Sequence, residues 1–357
     1  MSAITVNGDI VHYEVLGRGK PVVLVHGWVG SWRYWIPIMQ QLHLKYRVYA
    51  LDLFGFGDSA KNPDKYTIDH QVSLLSEFMT QMGLTKAALI GHGLGAQVVV
   101  EFSDRNRDKV PRLMLASAPL FDPGDLETRG QRVLLTTNDF DARQATLSAE
   151  IRSGSTAEAT LLRRPTTTGD TADATIANSR ILDRAKLEAA AIARAESEMS
   201  VRKTVEPAVV AKVISVDNPL MGKIGKSNSE TLLMRCFKKT DPEYAKLTQD
   251  VSKQGETVLN KMAENFDPGR LLDILRKLPM PVVVVHGMDD PLIDAPSDNI
   301  WAYITNAKED LLPVPLPGVR HFPMLEADSF ARLVNSFLEI PDISKLEIKE
   351  RWRRRSR

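Results

Sequence analysis

Gly91-His92-Gly93-Leu94-Gly95 is the segment of this chain best placed to present a reactive group, and its tip has no side chain. The stretch from Lys86 to Val100 reads as a buried strand, a glycine-flanked turn and an amphipathic helix. Such a turn is tight, and bulk on either side of its tip would collide with it. Three other segments end in groups that could do acid–base or electrostatic work. An apolar run, Pro21-Val-Val-Leu-Val, ends in His26-Gly27-Trp28. A second, Pro281-Val-Val-Val-Val-His-Gly, ends in the acids Asp289 and Asp290. The third, Leu316-Pro-Gly-Val-Arg-His-Phe, carries His321. A carboxylate beside a histidine holds the imidazole in one tautomer, leaving the far nitrogen free as a base.

In this order the four segments resemble the α/β-hydrolase superfamily, in the branch that carries a cap. The G-x-Nu-x-G of that fold is its nucleophile elbow, so Gly91 and Gly95 are the flanking glycines and Gly93 stands at the nucleophile position. The resemblance implies a catalytic histidine at His321 and a triad acid at Asp290, with Asp289 as the other candidate. It also implies an oxyanion hole built from the backbone N–H groups of Trp28 and Leu94. A simple core aromatic is the less favoured reading of Trp28. The pattern Asp52-Leu-Phe-Gly-Phe-Gly-Asp-Ser59 is frequent in the family and reads as scaffold, with Asp52 bracing loop backbone. A displaced nucleophile at Ser59 is the less favoured alternative. The chain departs from the family pattern at Gly93, which leaves the covalent route without its usual nucleophile.

Three functions follow from that departure. In the first, a hydrolase for an ester, C–C or related bond of a small apolar molecule uses the Asp290–His321 dyad on water or substrate. In the second, a catalytically inactive relative binds a small molecule or regulates. The third is a serine hydrolase inactivated by a Ser-to-Gly change. If the elbow is otherwise intact, Gly93→Ser is expected to gain esterase activity and lose stability, because positive φ costs a non-glycine residue.

The elements that must hold these groups alternate. A hairpin over 3–16 turns at Asn7-Gly8, and strands fall near 21–26, 47–53, 87–92, 111–117, 281–287 and 311–316. Helices fall near 31–42, 68–83, 95–106, 296–306 and 325–338. The expected fold is therefore α/β: a doubly wound, mostly parallel sheet of the eight-stranded hydrolase type with an inserted helical cap. Ligands bind beyond the carboxyl ends of such strands, where Trp28, Gly93, Asp290 and His321 would converge. The core is expected over 1–120 and 269–344, the cap over 121–268 and a basic tail over 345–357. Within the cap, Pro165 to Ser179 is small and polar, and Leu182, Ala185, Ala189, Ile192, Ala195 and Met199 recur at helical spacing. Met221, Leu232, Leu233, Met234 and Phe237 are candidates for an apolar lining, though they read more readily as cap core.

Composition narrows the classes. With 25% charged and 43% hydrophobic residues, the chain of 357 residues is ordinary for a globular protein. It has no apolar run of membrane-spanning length and no secretory signal pattern, and its one cysteine, Cys236, has no internal disulfide partner. A cytoplasmic location is expected on these grounds. The net charge of +1 hides a basic end: residues 351–357 hold five arginines and no acid, leaving −4 on the rest. That tail could weakly touch anionic surfaces, and more simply is a solvated terminus. The expected partner is a small-molecule substrate or ligand. No nucleic acid, cofactor or metal is expected, since the seven histidines show no ligand spacing.

Overall fold

The computed structural model describes residues 2–129, 218–326 and 328–346. The described parts of 1–128 and 216–357 belong to one compact unit. The expected mobile stretch at 165–179, the long helix after it and the arginine-rich end lie outside the described residues.

The unit is built on an eight-stranded sheet in the order β1-β2-β4-β3-β5-β6-β7-β8. β1 (Ser2–Val6) and β2 (Asp9–Leu16) form the expected hairpin. Its turn sits at Asn7 and Gly8, both at positive φ, as a two-residue hairpin turn requires. β2 pairs antiparallel with β4 (Tyr46–Leu51), and every later pairing is parallel. β3 (Lys20–Val25), β5 (Ala88–His92), β6 (Leu113–Ala116) and β7 (Val282–Gly287) fill the centre. Their apolar runs are buried, as the interior strands of a covered parallel sheet must be. β8 (Leu311–Leu316) closes one edge, where Pro313 and Pro315 forgo ladder donors without loss.

Helices α1 (Ile36–Leu42), α2 (Ile68–Gln81) and α3 (Leu94–Arg105) separate the first strands. After the undescribed residues come α4 (Ser229–Cys236), α5 (Pro242–Val251), α6 (Val258–Glu264) and α7 (Pro268–Lys277). Asn228 and Asp267 cap α4 and α7 by accepting from Thr231 N and Arg270 N. α8 (Asp298–Thr305), α9 (Pro323–Glu326) and α10 (Asp328–Glu339) complete the unit. The alternation read from the sequence is thus present. The main shift lies at 31–42, where a 3₁₀ turn over Trp32–Trp35 precedes α1.

α3 lies against the sheet at van der Waals distance from backbone. A Cβ on Gly95 would stand 2.3 Å from the Val25 carbonyl oxygen and 2.6 Å from that of His26. Neither atom can retreat without moving β3. Gly95→Ala is therefore expected to lower the melting temperature by about 2–4 °C, as overpacking against backbone does. Gly222→Ala, whose Cβ would meet nothing within 4 Å, is expected to leave it unchanged. Thermal unfolding of the two variants checks this.

Candidate active site

β5 runs out at His92 and α3 starts at Leu94, so the whole reversal falls on Gly93, at φ 51° and ψ −112°. Its N–H donates to the Ala116 carbonyl at 2.9 Å and its carbonyl accepts from Ala96 N at 3.1 Å. The tip is therefore fixed to β6 on one side and to α3 on the other. The loop after β3 lies over it. A Cβ at residue 93 would meet Trp28 Cδ1 at 2.9 Å, Trp28 Nε1 at 3.0 Å and Gly27 Cα at 3.5 Å. Trp28 is fully buried, and its indole Nε1 has no hydrogen-bond partner. The sequence brings this ring to the elbow, but only the fold shows it packed onto the glycine. Placing a serine at 93 therefore meets an obstacle that the sequence does not show.

The loops after β7 and β8 carry the other two groups. Asp290 Oδ2 accepts from His321 Nδ1 at 2.8 Å, with both side chains buried. Asp290 Oδ1 accepts from Leu292 N at 2.8 Å and Ile293 N at 3.1 Å, which fixes the carboxylate plane. Asp289, the other candidate acid, is exposed, and its N–H donates to the Val319 carbonyl. His321 Nε2 is buried and has no partner. Burial alone would raise the Asp290 carboxyl. The charge and hydrogen bond of His321, the Ile293 N–H and nearby His286 outweigh it and hold the group at about 2.

A second set of buried groups joins these segments, and no motif pointed to most of it. The Tyr34 hydroxyl contacts His92 Nδ1 at 2.8 Å and accepts from the Gly27 N–H. His92 Nε2 donates to the His321 carbonyl at 2.8 Å. That carbonyl also accepts from Ser117 Oγ at 3.0 Å. Ser117 holds φ at 47°, a conformation costly for serine. The His92 and His321 rings lie 4.6 Å apart between centroids. Burial, and then the proximity of His321, push His92 well below the usual histidine range, so it is neutral. Tyr34 lies outside every recognised pattern, and its role exists only through contacts 58 residues away in the chain.

The remaining candidates have other work. Asp52 accepts from Trp32 N at 2.9 Å, Asp58 N at 3.0 Å and His12 Nδ1 at 3.0 Å, which makes it a loop brace. Ser59 Oγ donates to the Asp52 carbonyl and accepts from His12 N, so it is spent on the same brace. His12, Asp52 and Asp58 are the one group among the described residues spaced to hold a cation. Arg33 and Lys253 already neutralise Asp58 there. Leu94 is buried at the start of α3. Of the proposed lining, Leu232, Leu233 and Phe237 are buried, whereas Met234 is 45% exposed. Gln254, just beyond α5, donates to the Trp28 carbonyl at 3.2 Å. Ser31 and Arg33 bond the buried Asp250 at 2.7 and 2.9 Å. The loop after β3 is thereby clamped from the far side as well.

The depressed Asp290 carboxyl has a pH signature. A group held at about 2 in the folded chain, against an ordinary 3.8, stabilises the fold above 3.8. That stability is lost as the pH falls toward 2. The stability gap between the native chain and Asp290→Asn is therefore expected to narrow by about 1.5 kcal/mol from pH 5 to pH 2.5. Urea unfolding at the two pH values measures it, and a constant gap would contradict the cause given for the shift.

Known proteins resemble this chain in sequence over part of its length or in fold. A soluble epoxide hydrolase of Corynebacterium sp. (strain C12) is 36% identical over 110 residues, 31% of this chain and 38% of that protein. An epoxide hydrolase 2 of Siraitia grosvenorii is 31% identical over 169 residues, 46% of this chain and 54% of that protein. The aligned stretches thus span about half or less of these relatives. Among solved structures, a thermophilic esterase from Thermogutta terrifontis superposes with a TM-score of 0.55 at 18% identity, covering 95% of this chain and 98% of the esterase. That level of identity speaks for the fold alone. The family model for the alpha/beta hydrolase fold matches residues 20–328, and with the eight-stranded sheet and its strand-end loops this establishes that the chain belongs to the α/β-hydrolase fold family.

Proposed function

We propose that this chain is a hydrolase of small apolar molecules that works without a covalent intermediate. His321, oriented by Asp290, would act as base on water, and Gly93 would stand where relatives carry a nucleophile. One observation carries this reading: Asp290 bonds His321 Nδ1 at 2.8 Å and leaves Nε2 buried and unpartnered. A buried nitrogen without a partner costs stability unless a ligand or water uses it. For an ester, water would attack the carbonyl carbon while His321 Nε2 takes its proton. The carbonyl oxygen would gain negative charge beside the N–H groups of Trp28 and Leu94. Collapse would expel the alkoxide, which takes the proton back from His321. The similarity to proteins named as epoxide hydrolases supports a hydrolytic reaction on an apolar substrate held under a cap over 121–268.

The Trp28 packing bears on the alternatives. A serine lost by a single recent change would leave room for its Cβ, and here a buried indole stands within 3.0 Å of that position. This weighs against a simple Ser-to-Gly inactivation. An inactive relative that binds or regulates keeps its footing, because a packed elbow serves binding equally well. Turnover separates the two.

The unmodified chain, screened on short nitrophenyl esters and on aryl epoxides, is expected to show slow turnover and no labelling by a fluorophosphonate probe. His321→Ala should abolish that turnover and Asp290→Asn should cut it by at least about 100-fold, since a triad acid orients the base. Turnover unchanged in His321→Ala would remove the dyad, and no turnover with tight ligand binding would favour the inactive relative. Gly93→Ser is expected to lose about 1–3 kcal/mol from positive φ and from the Trp28 contact. It should gain esterase activity only when Trp28 is also made smaller, as in Trp28→Leu. Melting curves and ester rates for the single and double variants check this.

A further inference from the structure

We infer that Tyr34 and His92 are positioning residues for His321, locking its carbonyl to the elbow and to the loop that follows β3. The inference rests on the dyad reading for its kinetic consequence and on hydrogen-bond geometry for its structural one. The direction of each hydrogen bond can be fixed. The His321 carbonyl only accepts, so His92 Nε2, 2.8 Å away, carries a proton. His92 is neutral, so its Nδ1 has none and accepts from the Tyr34 hydroxyl at 2.8 Å. The hydroxyl has then donated its only proton, and its oxygen accepts from the Gly27 N–H. The string runs one way, Gly27 to Tyr34 to His92 to His321, and each member is satisfied. A protonated His92 would turn two donors on the hydroxyl oxygen and take away the acceptor of the hydroxyl's own proton, so the string favours neutral His92.

His321 is consequently held at two points. Asp290 fixes the ring through Nδ1, and His92 with Ser117 saturates the carbonyl of the same residue. A residue held at both its ring and its backbone has little freedom left in χ1. Phe322 fills the space around the string, edge-on to Tyr34 at 5.6 Å and tilted against His92 at 5.2 Å. Gly27 precedes Trp28, so the same string joins the loop expected to stabilise the oxyanion to the residue expected to act as base. Small misplacements of a base cost a large share of rate.

The test uses the full chain with ¹⁵N-labelled histidine. Tyr34→Phe removes the hydroxyl and keeps the ring. His92→Gln keeps a donor near the Nε2 position, and His92→Ala removes it. Solvent exchange of the His321 Nδ1 proton, assigned by its loss in Asp290→Asn, is expected to quicken about 10-fold in Tyr34→Phe and His92→Ala, as looser local packing allows. Backbone amides of Val22 to Val25 should keep their protection, which separates a positioning loss from general loosening. His92→Gln should recover most of the native exchange. On any substrate turned over, kcat should fall about 10- to 100-fold in Tyr34→Phe with KM within about threefold. Native exchange in both Tyr34→Phe and His92→Ala, or equal losses in His92→Ala and His92→Gln, would overturn the proposal. Should Tyr34→Phe fail to fold, the two His92 variants decide. If His321→Ala keeps full turnover, the dyad reading fails, and the exchange measurement still judges the positioning role alone.

Discussion

The approach of α3 to the end of β3 is the contact on which the rest of this site depends. It is a backbone-to-backbone contact: Gly95 lies so near the Val25 and His26 carbonyls that no side chain fits, and Gly91 lies equally near the Gly95 carbonyl. That closeness forces the reversal at Gly93 into positive φ, and it brings the loop after β3 down over the tip. Trp28 then has one place to go, onto Gly93. The two features explain each other, since a glycine leaves room for an indole and a seated indole leaves little room for anything else.

Around that tip the buried polar groups are arranged so that nearly all are paired. Asp290 is ionised in a buried position because two backbone N–H groups and two imidazoles compensate the lost hydration. His92 is neutral because burial and His321 oppose its charge, and neutrality gives the Tyr34 string its direction. Trp28 Nε1 and His321 Nε2 break the pattern, one a donor and the other able to accept, as do Trp35 Nε1 and His286 Nδ1 at the margin of the site. In a structure where burial without a partner is costly, such atoms are where a ligand is expected.

The strain in this site is distributed in a telling way. A hydrolase with a serine nucleophile spends backbone strain at the elbow to present its Oγ. Here glycine relieves that strain. Ser117, beside the His321 carbonyl, carries positive φ instead, and it uses the position to donate its hydroxyl. Positive φ thus falls on a serine where it holds the histidine and on a glycine at the tip.

Much of this was legible in one dimension. Strands such as Val282–Gly287 announce themselves as unbroken apolar runs because both faces of a covered parallel sheet are dry. The elbow, the acid loop and the histidine loop are legible because their geometry demands glycines and short polar ends at fixed offsets. The choice of Asp290 over Asp289 as the acid facing His321, by contrast, turns on which carboxylate points inward. Adjacent residues of like chemistry do not encode that. Tyr34, Ser117 and Asp250 carry no motif, because each acts through a partner brought near by folding and any hydroxyl or carboxylate in the chain looks the same beforehand. The sequence by itself determined that a hydrolase sheet forms and that the turn after β5 carries glycine at its tip, since apolar runs and glycine spacing are local features. Only the tertiary structure decided what fills the empty tip and what holds the histidine, because those are contacts between segments far apart in the chain.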